Sequence, residues 1–424
     1  MRYCTRCLYP ENHPLHLTFD DQGVCSGCRV HEEKDRLDWN ARGKKLARLL
    51  DGYRNASGGN YDCIVPVSGA RDSFFIVHTV KNVYGLRPLL VTYNKHYNTP
   101  LGIRNLATLR MAFNCDLISM TLDPALLKKV TRETMRLKAS MYWHCIAGQT
   151  VFPVQTAVRF KIPLIIWGAH QGLDQVGMFS HLDEVEMTRK YRKEHDLMGL
   201  EAEDLAAASA SLTERDVLPF VYPHDRELEK VGVRGIYLGN SLRWDSKAQH
   251  EAMIGRYGFA PGAQQRSFDT YNDVDCHHYS GVHDYIKFLK YGYGKALDHA
   301  CREIRLRRLS RAQGLELARQ YRERTPQDLP LFLEWLGMDE AEFQRLADAQ
   351  RDPAIWRRDA SGAWTLADAP ERHPQEAAHA AAALPLAGDC TFRPGAGDNG
   401  EPARHILFGR GYHDAPDKRQ GTQP

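Results

Sequence analysis

No stretch of this 424-residue chain approaches the ~20 consecutive apolar residues of a membrane span. The N-terminal "MRYCTRCLYP" also lacks the apolar core of a secretory signal, so a cytoplasmic protein outside any membrane is expected. An excess of one charge is missing as well. Lys and Arg total 56 against 53 Asp and Glu, a formal net charge of +3, so no broad field advertises nucleic acid or membrane as partner, and any anion site must be local. Cysteine is sparse, with 10 residues, four of them in close pairs; this usage fits metal binding in a reducing compartment better than a disulfide framework. Neither a G-x-x-x-x-G-K-[ST] loop nor a G-x-G-x-x-G turn is present. Apart from two paired cysteine knuckles, no internal repeat is visible.

What is present is a 43% hydrophobic composition on a chain long enough for two or three domains. Residues 1–40 hold the knuckles and read as a zinc ribbon, and a charged helical connector runs from His31 to about Tyr53. Over 54–210 short apolar runs ("YDCIVPV", "RPLLVTY", "CDLISM", "IPLIIWG") alternate with amphipathic segments. Those segments have plausible helix starts at Asp72-Ser73, Thr99-Pro100 and Asp123-Pro124. Alternating strands and helices predict an α/β unit with a parallel sheet covered on both faces. Residues 211–350 read as mixed, then helical from His283 to about Ala347, forming a substrate or partner region. Eight of the 21 prolines follow Asp352, and residues 367–424 are expected to be a largely disordered tail.

The knuckles "CTRC" (Cys4, Cys7) and "CSGC" (Cys25, Cys28) are separated by 17 residues. Four thiolates can close the shell of one tetrahedral Zn²⁺ and leave no position for a substrate, so a structural role follows. An iron–sulfur cluster would use the same ligand set.

The second feature is "CIVPVSGARDSFF", a strand that runs into a small hydroxyl-bearing turn and then a helix. Such a turn gathers backbone N–H groups and the positive helix end at one point, which suits an anion. Ser68-Gly69-Ala70-Arg71-Asp72-Ser73 resembles the S-G-G-x-D-S PP-loop of ATP pyrophosphatases (adenine nucleotide alpha-hydrolase-like proteins). In that resemblance these six residues bind ATP. The Ser68 and Ser73 hydroxyls and the loop amides hold pyrophosphate oxygens, Asp72 helps hold Mg²⁺, and the charge of Arg71 reaches a phosphate. Asp72 and Arg71 are therefore the catalytic candidates. The second glycine of the pattern is Ala70; if that position needs φ > 0 or very close phosphate approach, its Cβ costs on the order of 1 kcal/mol or blocks the ligand.

Longer segments extend the likeness: "RPLLVTYNKHYNTPLGIRNL", "FPVQTAVRFKIPLIIWGAHQGLDQVGMFSHLDEVEMTR", "GVRGIYLGNSLRWDSKAQH" and "HDYIKFLKYGYGKALDHACREIR". With the loop and the knuckles they resemble the N-acetyl sugar amidotransferase family of bacterial pseudaminic, legionaminic and related surface-sugar pathways, including lipopolysaccharide and flagellin glycans. The resemblance implies conversion of a sugar acetamido group to acetamidino: ATP adenylates the amide oxygen and ammonia displaces AMP. No G-x-C-x-G elbow is present, and the resemblance implies ammonia from a separate glutaminase with a cyclase-like channel subunit. The substrate would be a sugar or nucleotide-linked sugar, with ATP, Mg²⁺ and Zn²⁺ as the bound groups.

Several residues carry two readings. Tyr93, at the carboxyl end of the second predicted strand, and Gly168, opening the loop "GAHQGLDQ", stand where parallel sheets bind ligands and would border the nucleotide. Equally, Tyr93 can be an ordinary strand-end residue, and His170, Gln171, Asp174 and Gln175 a polar loop. Cys145 beside His144 suggests a thiolate, as in PP-loop enzymes that thiolate tRNA, or a buried core cysteine. The basic stretch from Lys287 to Arg308 can meet phosphates or form a solvated face. A catalytically inactive zinc-ribbon binding protein is the third reading. The cluster "CHHYSGVH" has no trusted ligand spacing.

Overall fold

The computed structural model describes residues 1–378 apart from 60, 71 and 277. The four expected strands form as β1 (Cys63–Pro66), β2 (Pro88–Tyr93), β3 (Leu117–Met120) and β4 (Leu164–Trp167), and a fifth, β5 (Arg234–Tyr237), joins them. All neighbours are parallel in the order β3-β2-β1-β4-β5. Ile64 faces both Leu89 of β2 and Ile165 of β4. The sheet therefore takes its last strand from beyond residue 210, and the α/β unit read as 54–210 extends further. "RGIY" is too short and too polar at its first position to announce a strand by periodicity.

Both faces of the sheet are buried, which explains why its strands read as continuous apolar runs. Cys63, Val65, Leu90 and Leu164 pack on one side, against α2 (Trp39–Asp51) and α3 (Ser73–Val77, continued by a π-turn over His78–Val83). Ile64, Leu89 and Ile165 pack on the other side, against Val151, Phe152 and Val154 of the long helix Trp143–Phe160. Each such Leu or Ile contributes about 1.5–3 kcal/mol on full burial. The helix starts follow the sequence chemistry. The Thr99 hydroxyl accepts the Gly102 amide at the head of α4 (Pro100–Ala112), and the Asp123 carboxylate accepts the Ala125 amide at the head of α5 (Pro124–Lys138). The helix Trp143–Phe160 is α6, and α7 (Ser246–Tyr257) follows β5 and covers α3.

The ribbon leads directly into α1 (Ser26–Glu33), whose first turn carries Cys28. The helical stretch from His283 onward begins with two separate helices, α8 (Asp284–Tyr291) and α9 (Lys295–Arg305). Gly292 closes α8 with φ +76, and an added Cβ on Gly294 would lie 2.7 Å from Asp284 Oδ2. Helix α10 (Arg311–Arg322) packs on α9, and a hairpin joins β6 (Trp356–Arg358) to β7 (Trp364–Leu366). Residues 367–378, which composition assigned to a loose tail, follow a defined path back along the ribbon. Asp368 meets the N-terminal ammonium at 3.1 Å, Glu371 pairs with Arg322 at 2.7 Å, and the Ala377 amide donates to the Thr5 carbonyl at 3.0 Å. The rest of the expected tail, 379–424, lies outside the described residues. Among the described residues no helix is long and apolar enough to cross a membrane.

Candidate active site and metal centre

Strand β1 has β2 on one side and β4 on the other, so the loop after β1 lies where the strand order reverses, the position at which parallel sheets bind ligands. The loop is held by its own side chains. Ser73 Oγ accepts the Ser68 amide (2.9 Å) and donates to the Ala70 carbonyl (3.2 Å), while Ser68 Oγ accepts the Ala70 amide (3.3 Å). An anion seated here would exchange these internal bonds for its own oxygens. Gly69 is required by contact rather than by φ, since a Cβ would lie 1.9 Å from the Gly102 carbonyl oxygen. Gly102 in turn touches Asp275, which pairs with buried Lys95 at 2.7 Å. Ala70 is not among the described residues with positive φ, and its methyl packs in the core with Phe74. Asp72 immediately precedes α3; Arg71 lies outside the described residues.

Gly168 stands at the end of β4, close to Ile76 and Trp244, beside the loop. Tyr93 is different. Its side chain turns under α6, with the hydroxyl 3.1 Å from His144 Nδ1 and the ring against Phe220, so only its backbone faces the sheet edge. Cys145 is buried in the core, and burial pushes its thiol well above the ordinary value, unlike a reactive thiolate.

A cavity of about 470 Å³ is walled by the N-terminal ribbon, the loop after β4 and helices α8 and α9. The segment that presses Asp275 on Gly102 also supplies Asn272 and Asp273 to this wall. Ion pairs line it: Lys34 with Asp174, Lys295 with Asp273, and Lys287 with Asp298 at 2.5 Å. Burial raises Asp174, but the charge and hydrogen bond of Lys34 outweigh that effect and leave its pKa at about 2. Burial and the neighbouring Lys287 push His13 down to about 3, and burial with Lys295 does the same for His283. The cavity thus presents neutral imidazoles beside paired charges at pH 7.

Five members of the basic stretch, Lys287, Lys290, Lys295, Arg302 and Arg305, face this cavity, while Arg308 pairs with Asp245 (2.8 Å). Gln171, Asp174 and Gln175 reach it from the loop after β4. The sequence reading did not single out His195 and Asp196. Asp196 Oδ1 is 2.8 Å from His195 Nδ1, His195 stacks on Tyr191 at 4.4 Å, and its Nε2 has no hydrogen-bond partner among the described residues. A carboxylate on Nδ1–H leaves Nε2 as proton acceptor. The adjacent His-Asp dipeptide within a charged run was the available signal, and it is too common to stand out.

The cysteine quartet assembles as its spacing requires. All four sulfurs lie within 4.8 Å of one another and are buried, with Cys4–Cys28 at 3.9 Å and Cys7–Cys25 at 3.7 Å. A tetrahedral ion bound at about 2.3 Å demands sulfur–sulfur edges of about 3.8 Å, so the donors and spacing fit Zn²⁺. Burial opposes ionisation of Cys25, yet hydrogen bonds from the other three thiols and the charge of Arg305 bring it well below the ordinary value. Among the described residues no other cluster of metal-ligating side chains of this kind occurs.

The chain is similar to a known family and a known protein in part of its length. Residues 265–370, which carry α8, α9 and the hairpin and supply much of the cavity wall, match the family described as LPS biosynthesis protein WbpG-like, C-terminal domain. A stretch of 120 residues is 22% identical to the uncharacterized protein MJ1599 of Methanocaldococcus jannaschii, covering 28% of this chain and 43% of that protein. The chain thus spans less than half the length of that relative.

Proposed function

We propose that the protein is an ATP-dependent amidotransferase of surface-sugar biosynthesis, converting a sugar acetamido group to acetamidino. One observation carries the reading: a hydroxyl-rich loop at the switch point of a parallel sheet packs on Gly102, which meets Asp275 of the segment that also walls a cavity of about 470 Å³. Much of that cavity's wall belongs to the region similar to a lipopolysaccharide-biosynthesis domain. In this reading ATP lies along the sheet edge with its phosphates at Ser68–Ser73 and its nucleoside near Gly168 and the Tyr93 backbone, and the sugar occupies the cavity. Mg²⁺, held by Asp72 and phosphate oxygens, would offset the charge of departing pyrophosphate. The Ser68 and Ser73 hydroxyls and loop amides would orient the triphosphate.

The amide oxygen attacks the α-phosphorus, the bond to pyrophosphate breaks, and an O-adenylated imidate forms. Ammonia then adds to the imidate carbon, AMP leaves with the former amide oxygen, and the added nitrogen loses a proton. His195, oriented by Asp196, is the base placed for that proton. Hydrolysis of the imidate would be the competing loss, which exclusion of water from the cavity would limit. Ammonia would come from a separate glutaminase through a cyclase-like subunit, and the cysteine quartet would hold Zn²⁺ in a structural role. Burial of Cys145 weighs against a thiolation enzyme, and the cavity weighs against a purely binding ribbon protein.

Incubating the protein with ATP, Mg²⁺, ammonium and acetamido sugars tests the reading. AMP and pyrophosphate should form together with a product in which one oxygen is replaced by NH. Release of ADP and phosphate instead would reject it.

A further inference from the structure

Arg305, in the last turn of α9, is buried between two groups that no sequence proximity connects. Its Nε donates to Cys28 Sγ at 3.4 Å, and its Nη2 to Cys25 Sγ at 3.5 Å and Cys7 Sγ at 3.9 Å. From the other edge of the same guanidinium, Nη1 donates to the Gln175 carbonyl at 2.6 Å and the Asp174 carbonyl at 3.4 Å. The plane lies over the Tyr9 ring, 5.1 Å from its centroid. Asp174 and Gln175 are cavity-wall residues.

The seam around this fork is close-packed at the backbone. A Cβ on Gly27 would fall 2.3 Å from Arg305 Nη2 and 2.6 Å from the Gln175 oxygen, and one on Gly177 would fall 2.4 Å from the Ser26 oxygen. Ser26 Oγ donates to the Val176 carbonyl at 2.7 Å. The head of α1 and the turn 174–177 therefore have no slack between them.

Four thiolates around a divalent ion carry two net negative charges, and burying that charge is costly unless a cation or hydrogen-bond donors meet it. The planar fork of an arginine can address several sulfurs and two carbonyls at once; a lysine ammonium cannot. We infer that Arg305 couples metal occupancy of the Cys4, Cys7, Cys25 and Cys28 site to the shape of the cavity wall at residues 171–178. One edge of its guanidinium caps the thiolates while the other holds the wall. Arg305 is a positioning residue, and the ribbon acts as a clamp on the cavity.

The test uses the full-length protein loaded with Zn²⁺, as wild type, Arg305→Met and Arg305→Lys. Zinc transfer to a chromogenic chelator reads metal retention, and amide hydrogen exchange reads the wall. Arg305→Met should weaken zinc binding by about 10–100-fold, the range typical of lost outer-shell partners. It should also raise exchange at 171–178 while β1 and β2 stay protected; Arg305→Lys should fall between. Stripping zinc from wild type should raise exchange in the same segment, whereas stripping it from Arg305→Met should add little there. Unchanged zinc retention in Arg305→Met, or exchange at 171–178 that ignores zinc in wild type, overturns the inference. The wild-type arm decides the matter even where the methionine variant fails to fold.

Discussion

Gly69 and Ala70 are neighbours in the loop after β1, and their surroundings ask opposite things of them. Gly69 has backbone where a side chain would go, whereas the Ala70 methyl fills a place in the core. Gly69→Ala should therefore destabilise the protein by about 1–3 kcal/mol through forced backbone displacement, and weaken ATP binding with it. Ala70→Gly, which would restore the commoner loop pattern, should lower stability by about 1–2 kcal/mol and leave nucleotide affinity unchanged. Denaturant titration and nucleotide titration of both variants read these outcomes side by side; a large affinity gain in Ala70→Gly would show that the methyl does obstruct the loop. His195 allows a sharper separation of steps. His195→Gln should leave sugar-dependent pyrophosphate release near wild type and slow amidine formation on the order of 10²-fold or more. Loss of both steps together would assign His195 to binding or folding instead.

At the scale of elements, the break between α8 and α9 is the informative feature. An unbroken helix would carry Lys287, Lys290, Lys295 and Arg302 onward along one axis; the break at Gly292–Gly294 folds the two helices so that all four line one cavity. The turn is fixed by Asp284, which pairs with Arg266 at 2.7 Å and accepts the Lys295 amide at 2.5 Å. Gly292→Ala would place a side chain at φ +76 and 2.5 Å from Ile355 Cδ1. Destabilisation of about 1–3 kcal/mol is expected in chemical denaturation, from left-handed strain plus overpacking. A neutral result would mean that the two helices can realign without that turn.

At the scale of the molecule, buried carboxylates paired across modules make stability depend on acid. Asp174 is held at about 2 against an ordinary 3.8, because Lys34 outweighs the effect of burial. A folded value below the unfolded one means that the contribution, about 2 kcal/mol, is fully present above pH 3.8 and is lost as pH falls towards 2. Asp298 is lowered in the same direction, with Lys287 overcoming burial. The melting temperature should therefore fall across that window. In Lys34→Met, where Asp174 keeps burial and loses its main counter-charge, leaving only the weaker pull of His31 and His181, the loss should begin at higher pH; an unshifted acid limb in that variant would show that the ribbon-to-sheet pair does not contribute.

Local chemistry fixed much of this molecule before any folding was considered. Buried parallel strands must be apolar throughout, so β1 to β4 were visible as runs; Thr99 and Asp123 announced α4 and α5 because a cap oxygen followed by proline satisfies the first helical turn. The C-x-x-C spacing likewise foretold a quartet, since two knuckles can offer two sulfurs each. Strand β5 and the break after α8 were not legible. The first is short and half-polar, and the second depends on how close Gly292 and Gly294 come to partners distant in the chain. The cavity was hidden for the same reason: its wall runs from Tyr9 to Gln350, and no periodicity links Lys34 to Asp174 or Arg305 to the cysteines. Side chains separated by hundreds of residues become neighbours only through packing, so the ligands of the metal could be read in one dimension, whereas what the metal site holds in place required three.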